Sequence, residues 1–451
     1  MPRAVRLAAH EAGTLAARAA RVLRGNDVGQ MTTAAPELYP HMWSWDACFI
    51  TVGLAGLDVR RGITEMDTLL AAQWSNGMVP HIVFSARAGG YFPGPERWRS
   101  TLSSPPAPSV QETSGICQPP VHAIATETIV AAAARGTADD RRAAEEFLDR
   151  AWPRLLAWHR WLADERDPDR SGRVTIHHGW ESGMDNSPRW DGPYSRVQVG
   201  SMPPYTRLDQ RFDRARGERP TDRDYDRYVW LIEEMRGVGY DSRAIAATGS
   251  FAVEDVFFSA VLSTACSVLA DLGRRHHRPA DEVAELTDLG ERFKRGVSAS
   301  VHPDTGLARD RDRRTETWLE VPTIAGFAPL LCGSDVPGLE RRLLDAFRSE
   351  HWCGHPGFAA ALPPSTSPTS PAFDPNAYWR GPQWPVLAWL FGWAFRRRGR
   401  VGEAARLRTE GLRLLAGGEF GEYYQPFTGQ PLGSSNQSWT AAVALDWLGN
   451  P

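Results

Sequence analysis

The chain has 451 residues, 42% of them hydrophobic and 23% charged, with a net charge of −3. That composition describes an ordinary globular protein and excludes nucleic-acid or membrane-surface binding through a large basic patch. The length suits two or three average domains or one large barrel.

Helical patterns dominate from the start. Residues 3–24 alternate Arg, Ala and Leu. They predict an amphipathic helix over 4–24, in preference to an Arg-rich transit peptide. Apolar stripes predict further helices at 46–57, 63–75, 120–135, 140–164, 223–236, 251–274, 279–300, 321–333, 337–349, 382–398, 401–416 and 437–449. Strand signals are few, such as Val174–His177. A dozen helices with little sheet suit helix pairs closed into a ring, an all-α (α/α)6 barrel. The apolar stretch 251–270 reads as one of its inner helices. Four segments share a plan, an aromatic loop running into an apolar helix: HMWSWDACF from 41, GICQPPVHA from 115, YWRGPQWPVLAW from 378 and SSNQSWTAAVALDW from 434. On one end of a ring such loops would all face one cavity. The turns DPDRSG and PDTG, each after a long helix, form a weak internal echo.

Irregular stretches at 85–118, 186–224 and 362–377 are too long for plain connections and read as lid-like insertions in one catalytic domain spanning 1–451. The five cysteines, Cys48, Cys117, Cys266, Cys332 and Cys353, are scattered. They fit free thiols in a reducing cytoplasm and show no zinc spacing. No run of about 18 apolar residues predicts a membrane span. Asp167, Asp169 and Ser171 imitate the opening of a calcium loop, but its twelfth position is His178, so a turn is expected. No metal or cofactor is expected.

Eighteen tryptophans stand out. Several lie in Gly/Pro/Ser-rich segments, where ring faces can pack on the C–H face of a sugar. The stretch HHGWESGMDNSPRWD, 177–191, holds Glu181, Asp185 and Asp191 beside Trp180 and Trp190. Gly and Pro break any period there, so it reads as a loop. A second acidic stretch, GEFGEYYQPFTGQPLG, 418–433, holds Glu419 and Glu422 among aromatics. Two loop carboxylates in aromatic settings suggest a glycosidase pair. One must stay protonated near neutral pH, which burial achieves, while the other stays ionised to activate water or attack carbon.

ESGMDNSPRWD, YWRGPQWP, EYYQPFTG and WSWD resemble glycoside hydrolase family 63, over about residues 30–449, and most closely its bacterial branch acting on glucosylglycerate and mannosylglycerate. The resemblance implies an (α/α)6 barrel and inversion at the anomeric carbon. It implies Asp185 as general acid and Glu422 as general base. Trp43, Trp45 and Asp46 would match the first aromatic–acid motif, with Asp46 accepting from sugar hydroxyls. Gln118 and Gln437 would sit at helix mouths. Trp180, Tyr378, Trp379 and Trp384 would wall the sugar site, and Tyr39 and Tyr91 would cap it. Arg219 with Tyr225, in RPTDRDY, would hold a glycerate carboxylate. The implied partner is a small glycoside, with no nucleic acid or membrane, and self-association stays open.

Plainer readings stand beside these. Asp185 would serve as a helix cap or a partner of Arg189, Glu419 as the base, Asp46 as a cap, and Arg219 as a surface charge. Glu181, Asp191, His177 and His178 read as structural. A trehalase-like or maltooligosaccharide hydrolase, a non-catalytic sugar-binding protein, and an epimerase or lyase are the competing functions.

Overall fold

The computed structural model describes residues 9–210 and 217–449. Twelve helices among them build the frame: α1 Ala9–Gly25, α2 Ser44–Leu57, α3 Val59–Ala71, α4 His122–Arg135, α5 Ala138–Glu165, α6 Val256–Arg275, α7 Ala280–Ala299, α8 Pro329–Cys332, α9 Leu339–Arg348, α10 Pro385–Arg397, α11 Val401–Leu414 and α12 Ser438–Gly449. The even-numbered helices touch one another in sequence, and α12 returns to α2, so they close a ring. The odd-numbered helices lie outside it. The result is the (α/α)6 barrel that the helix count predicts.

Side-chain chemistry decides which helix goes where. The inner helix α2 is buried continuously from Ser44 to Ala55, so it carries no polar stripe to turn toward water. The outer helix α3, VRRGITEMDTLLA, buries Val59, Ile63, Met66, Leu69 and Leu70 on one face. The inner helix α6 is apolar and long enough to cross a membrane by composition alone. Here it is barrel wall, with Val256–Cys266 buried without a break, and Asp271 is the charge that interrupts its apolar run.

Three predicted elements shift, each for a local reason. The helix expected at 63–75 starts at Val59, because the Asp58 side chain accepts from the N–H groups of Arg60 and Arg61 and caps it. The stretch expected to be helical from 251 first makes a strand, Val253–Asp255, and turns helical at Val256. The helix expected at 321–333 splits into a 3-10 turn, Ile324–Phe327, and the short α8. Pro329 opens α8, where its missing N–H costs nothing, and Gly333 ends it with φ of 87°.

An antiparallel four-stranded sheet lies beside the barrel mouth, in the order Val174–Ile176, Val253–Asp255, Asp310–Asp312, Thr317–Leu319. Only its first strand carries a sequence signal. The 85–118 stretch contains two single-turn helices, and 186–224 contains the helix Asp191–Ser195 and the start of the helix Asp222–Gly237. Residues 4–8 of the predicted first helix and 211–216 of the second irregular stretch lie outside the described residues. The Asp167 stretch is a turn: its carboxylate accepts from the Ser171 hydroxyl and the Gly172 N–H.

Candidate active site

The loops that enter α2, α4, α10 and α12 converge on one cavity of about 130 Å³. That space suits a small molecule. Asp185 and Glu422 both line it. Trp43, Trp45 and Asp46 reach it from the start of α2, Gln118 from before α4, Tyr378 from before α10 and Gln437 from before α12. Tyr39, Tyr91, Trp180, Arg219 and Tyr225 complete the predicted set found there.

The 177–191 loop is held by polar groups that never reach the cavity. Arg166, itself buried, binds Glu181 through both terminal nitrogens, at 2.9 and 2.7 Å. Glu181 also accepts from the backbone of His177 at 2.7 Å and of Cys117 at 3.3 Å. The second of these ties the loop to the segment carrying Gln118. Paired with Arg166, the Glu181 carboxyl falls to about 2 despite complete burial. Arg189 donates to Asp310 at 3.1 Å and Asp255 at 3.3 Å. Asp255 in turn caps α6 through the N–H groups of Phe257 and Phe258. Asp191 pairs with Arg380 at 2.7 Å. Glu181, Asp191 and Arg189 are therefore the loop's supports, and Arg189 is not a partner of Asp185. The two histidines are structural too: His178 meets the Tyr228 carbonyl and His177 that of Phe251.

Asp185 sits differently. It is half-buried at the cavity wall, and among the described residues no other residue donates a hydrogen bond to its carboxyl. Burial pushes it up to about 7, against the pull of Arg219 and with the help of the Glu422 charge. A carboxyl in that setting carries a proton near neutral pH. Gly183, two residues before it, has φ of +69°, and a Cβ there would stand 2.5 Å from the Trp45 ring. Only glycine lets the loop pass that close.

Glu422 is buried and surrounded by donors. Its Oε1 accepts from the Tyr39 hydroxyl at 3.1 Å. Its Oε2 accepts from the Ser434 N–H at 3.0 Å and from Arg219 at 3.3 Å. The turn that brings Ser434 back passes through Gly433, also at φ +69°, where a Cβ would stand 2.5 Å from Oε2. Glu419 is exposed and does not reach the cavity. Asp46 lies in the first turn of α2 without capping it. Burial and the charges of Glu422 and Asp185 push its carboxyl well above the usual range. Asp46, Asp185 and Glu422 thus share the cavity with the Arg219 guanidinium.

Aromatic rings make the wall. Trp43 meets Tyr39 and Tyr91 edge-on, with centroids 5.2 and 5.1 Å apart. Gln118 receives the Trp45 N–H at 3.2 Å, which fixes its amide at the helix mouth. Phe92 stacks on Tyr205 at 4.9 Å and joins the two longest irregular stretches above the cavity.

One expectation needs correction. Trp379 and Trp384 do not line the cavity. They stack face to face at 3.5 Å behind Tyr378, and Trp384 packs on Tyr423. Their flat rings fill the space behind the wall, so Tyr378 alone of that motif faces inward. Tyr225 lines the cavity, but its hydroxyl donates to the Phe92 carbonyl at 3.0 Å. Arg219 lines the cavity too and donates to the Tyr39 hydroxyl at 2.6 Å. The cavity also holds residues that the sequence reading passed over: His81, Tyr228, Asp209 and Trp439. Burial lowers His81 to about 3, so it is neutral, and its buried Nδ1 has no partner among the described residues. It sits in the apolar run MVPHIVF, which carries no polar signal. Tyr228 was findable, one turn after Tyr225 on the same helix.

Comparison with known proteins gives a consistent result. Residues 39–440 match the family model described as the mannosylglycerate hydrolase MGH1-like glycoside hydrolase domain. The chain is 55% identical to the glucosylglycerate hydrolase of Mycolicibacterium hassiacum over 96% of this chain and 98% of that one. It is 41% identical to the mannosylglycerate hydrolase of Thermus thermophilus, over 95% and 99%. A crystal structure of a family 63 mannosylglycerate hydrolase from Thermus thermophilus, in complex with Tris and D-glycerate, superposes with a TM-score of 0.85 at 40% identity, covering 96% of this chain and 99% of that one.

Proposed function

The chain belongs to the mannosylglycerate hydrolase MGH1-like group of glycoside hydrolase family 63 and is a glycosidase; from that premise we propose that it hydrolyses glycosylglycerates with inversion, glucosylglycerate first and mannosylglycerate second. The observation that carries this reading is a pair of carboxyls in opposite surroundings within one cavity, Asp185 short of donors and Glu422 surrounded by them, with a guanidinium beside them. Burial lifts Asp185 to about 7, while Tyr39, Ser434 and Arg219 donate to Glu422. The order of the two substrates rests on the 55% identity to a glucosylglycerate hydrolase.

In this reading Asp185 gives its proton to the glycosidic oxygen as the bond to the anomeric carbon breaks. Glu422 takes a proton from a water whose oxygen bonds to that carbon from the opposite face. The products are the free hexose and glycerate, and the two carboxyls exchange protonation states through solvent before the next turnover. Inversion needs room for that water, a carboxyl separation of ~6.5–9.5 Å. Asp46, pushed toward its neutral form, can both donate to and accept from sugar hydroxyls. The rings of Trp43, Trp45 and Trp180 exclude water. The stretches 85–118 and 186–224 act as the lid, tied at Phe92 and Tyr205, and 362–377 delivers Tyr378 to the wall.

The test is turnover of glucosylglycerate, mannosylglycerate, trehalose and maltose by the wild type and by Asp185→Asn. The glycerate conjugates should have the highest kcat/KM, and the variant should lose that activity. Equal rates on trehalose or maltose would favour the neutral-disaccharide reading instead.

A further inference from the structure

Arg219 stands where it can do more than hold a ligand. Its Nη2 donates to Glu422 Oε2 at 3.3 Å and its Nη1 to the Tyr39 hydroxyl at 2.6 Å. Its Nε is buried and has no partner among the described residues. The guanidinium lies over the Tyr378 ring at 4.5 Å, which restricts it to a plane beside the cavity. The residue before it is pinned: Glu218 accepts from the Tyr423 hydroxyl and from the Gly433 N–H, both at 3.0 Å. The backbone pivot of Arg219 is therefore fixed to the loop that carries Glu422, and only its side chain is free to exchange partners.

We propose that Arg219 is a specificity switch acting through the base: it stays paired with Glu422 until a substrate carboxylate takes the guanidinium over and frees Glu422 to accept a proton from water. This rests on the function proposed above. The physical argument has two parts. A guanidinium on a carboxylate opposes protonation of that carboxylate, so the pair as it stands works against the step in which Glu422 takes a proton. A carboxylate also prefers two parallel N–H donors. The unpartnered Nε with a neighbouring Nη offers that fork, whereas Glu422 holds one nitrogen at a long 3.3 Å. An anionic aglycone can thus outcompete Glu422 for the guanidinium. A neutral aglycone cannot, and leaves the base engaged. Discrimination then falls on kcat, and not only on KM as simple binding of the carboxylate would require.

α-D-Glucosyl fluoride isolates this step, because fluoride leaves with little need of an acid and carries no carboxylate. Its kcat is measured with the wild-type enzyme with and without glycolate or formate, against chloride at equal ionic strength. The proposal predicts a saturable rise in kcat of about tenfold or more with the carboxylates, within the range general-base catalysis supplies, and none with chloride. Arg219→Met should lose the response and Arg219→Lys should keep part of it. Carboxylates that leave wild-type kcat unchanged, or only inhibit, overturn the switch even if glucosylglycerate is hydrolysed well. If glucosyl fluoride is hydrolysed but glucosylglycerate is not, the proposed function itself fails and the switch with it.

Discussion

Glu181 and Asp185 are four residues apart on the same loop, the first fully buried and the second half-buried against the cavity, yet their carboxyls move in opposite directions. Glu181 falls to about 2 and Asp185 rises to about 7. Removal from water raises both, and it acts on the more deeply buried Glu181 as well, so it does not decide the direction. Donors do. Glu181 has both terminal nitrogens of Arg166 and two backbone N–H groups. Asp185 has its own N–H, a distant guanidinium and a neighbouring negative charge. A buried carboxylate that is fully paired becomes part of the frame, and one left short of donors becomes an acid.

The strongest way to break this contrast is to neutralise each residue in turn. Asp185→Asn should lower kcat by about 10²–10⁴-fold, the usual contribution of a general acid, with the fold intact. Glu422→Gln should do the same for the base. Glu181→Gln should instead cost stability, about 3–5 kcal/mol, because it leaves Arg166 buried without its counter-charge. Thermal melts and steady-state kinetics on the same preparations separate the two outcomes. If Glu181→Gln abolishes turnover while melting like the wild type, the division between frame and acid is wrong.

The pH dependence of stability sharpens the contrast further. Asp185 is raised above its ordinary 3.8, so the folded chain binds its proton more tightly than the unfolded chain. The resulting penalty grows as pH rises from about 4 to about 7 and is complete above that. Asp185→Asn should therefore be more stable than wild type at pH 8, by up to about 4 kcal/mol, and little different at pH 4. Glu181 has the opposite sign. Its contribution is complete above its ordinary 4.5 and is lost as pH falls through about 2. Urea melts across pH measure both.

A smaller effect is expected from the guanidinium. Arg219 lowers Asp185, so Arg219→Met should move the basic limb of the kcat/KM profile to higher pH. A shift to lower pH would mean that Arg219 does not act on the acid. The smallest effects should come from the stacked indoles. Trp384→Phe should change KM for glucosylglycerate by less than about threefold, because the ring lies behind the wall and makes no uniform binding contact. Tyr378→Phe, on the wall itself, should exceed it.

The barrel was legible because helical period and apolar content separate inner from outer helices without any long-range information. The α6 run FAVEDVFFSAVLSTACSVLA shows both the strength and the limit of that signal: its interior reads correctly, but its first residues pair with Val174–Ile176 and become a strand. The strand Asp310–Asp312 was invisible because its buried carboxylates answer arginines of a distant stretch, Asp310 pairing with Arg189 and Asp312 with Arg196, and no local pattern records that. The two acids were legible from composition, Gly/Pro breaks and family likeness. What sequence could not separate was the wall from the layer behind it. Tyr378, Trp379 and Trp384 share one motif, and only the stacking of the two indoles decides which ring faces the cavity.

The central claim is a pair of carboxyls in one cavity that inverts an α-glycosidic bond of a glycosylglycerate. Proton NMR of the first turnovers of glucosylglycerate tests it most directly, before the released sugar mutarotates. The account predicts β-glucose as the first anomer to appear, with α-glucose growing in only at the rate of spontaneous mutarotation. An initial product that is α-glucose would contradict it.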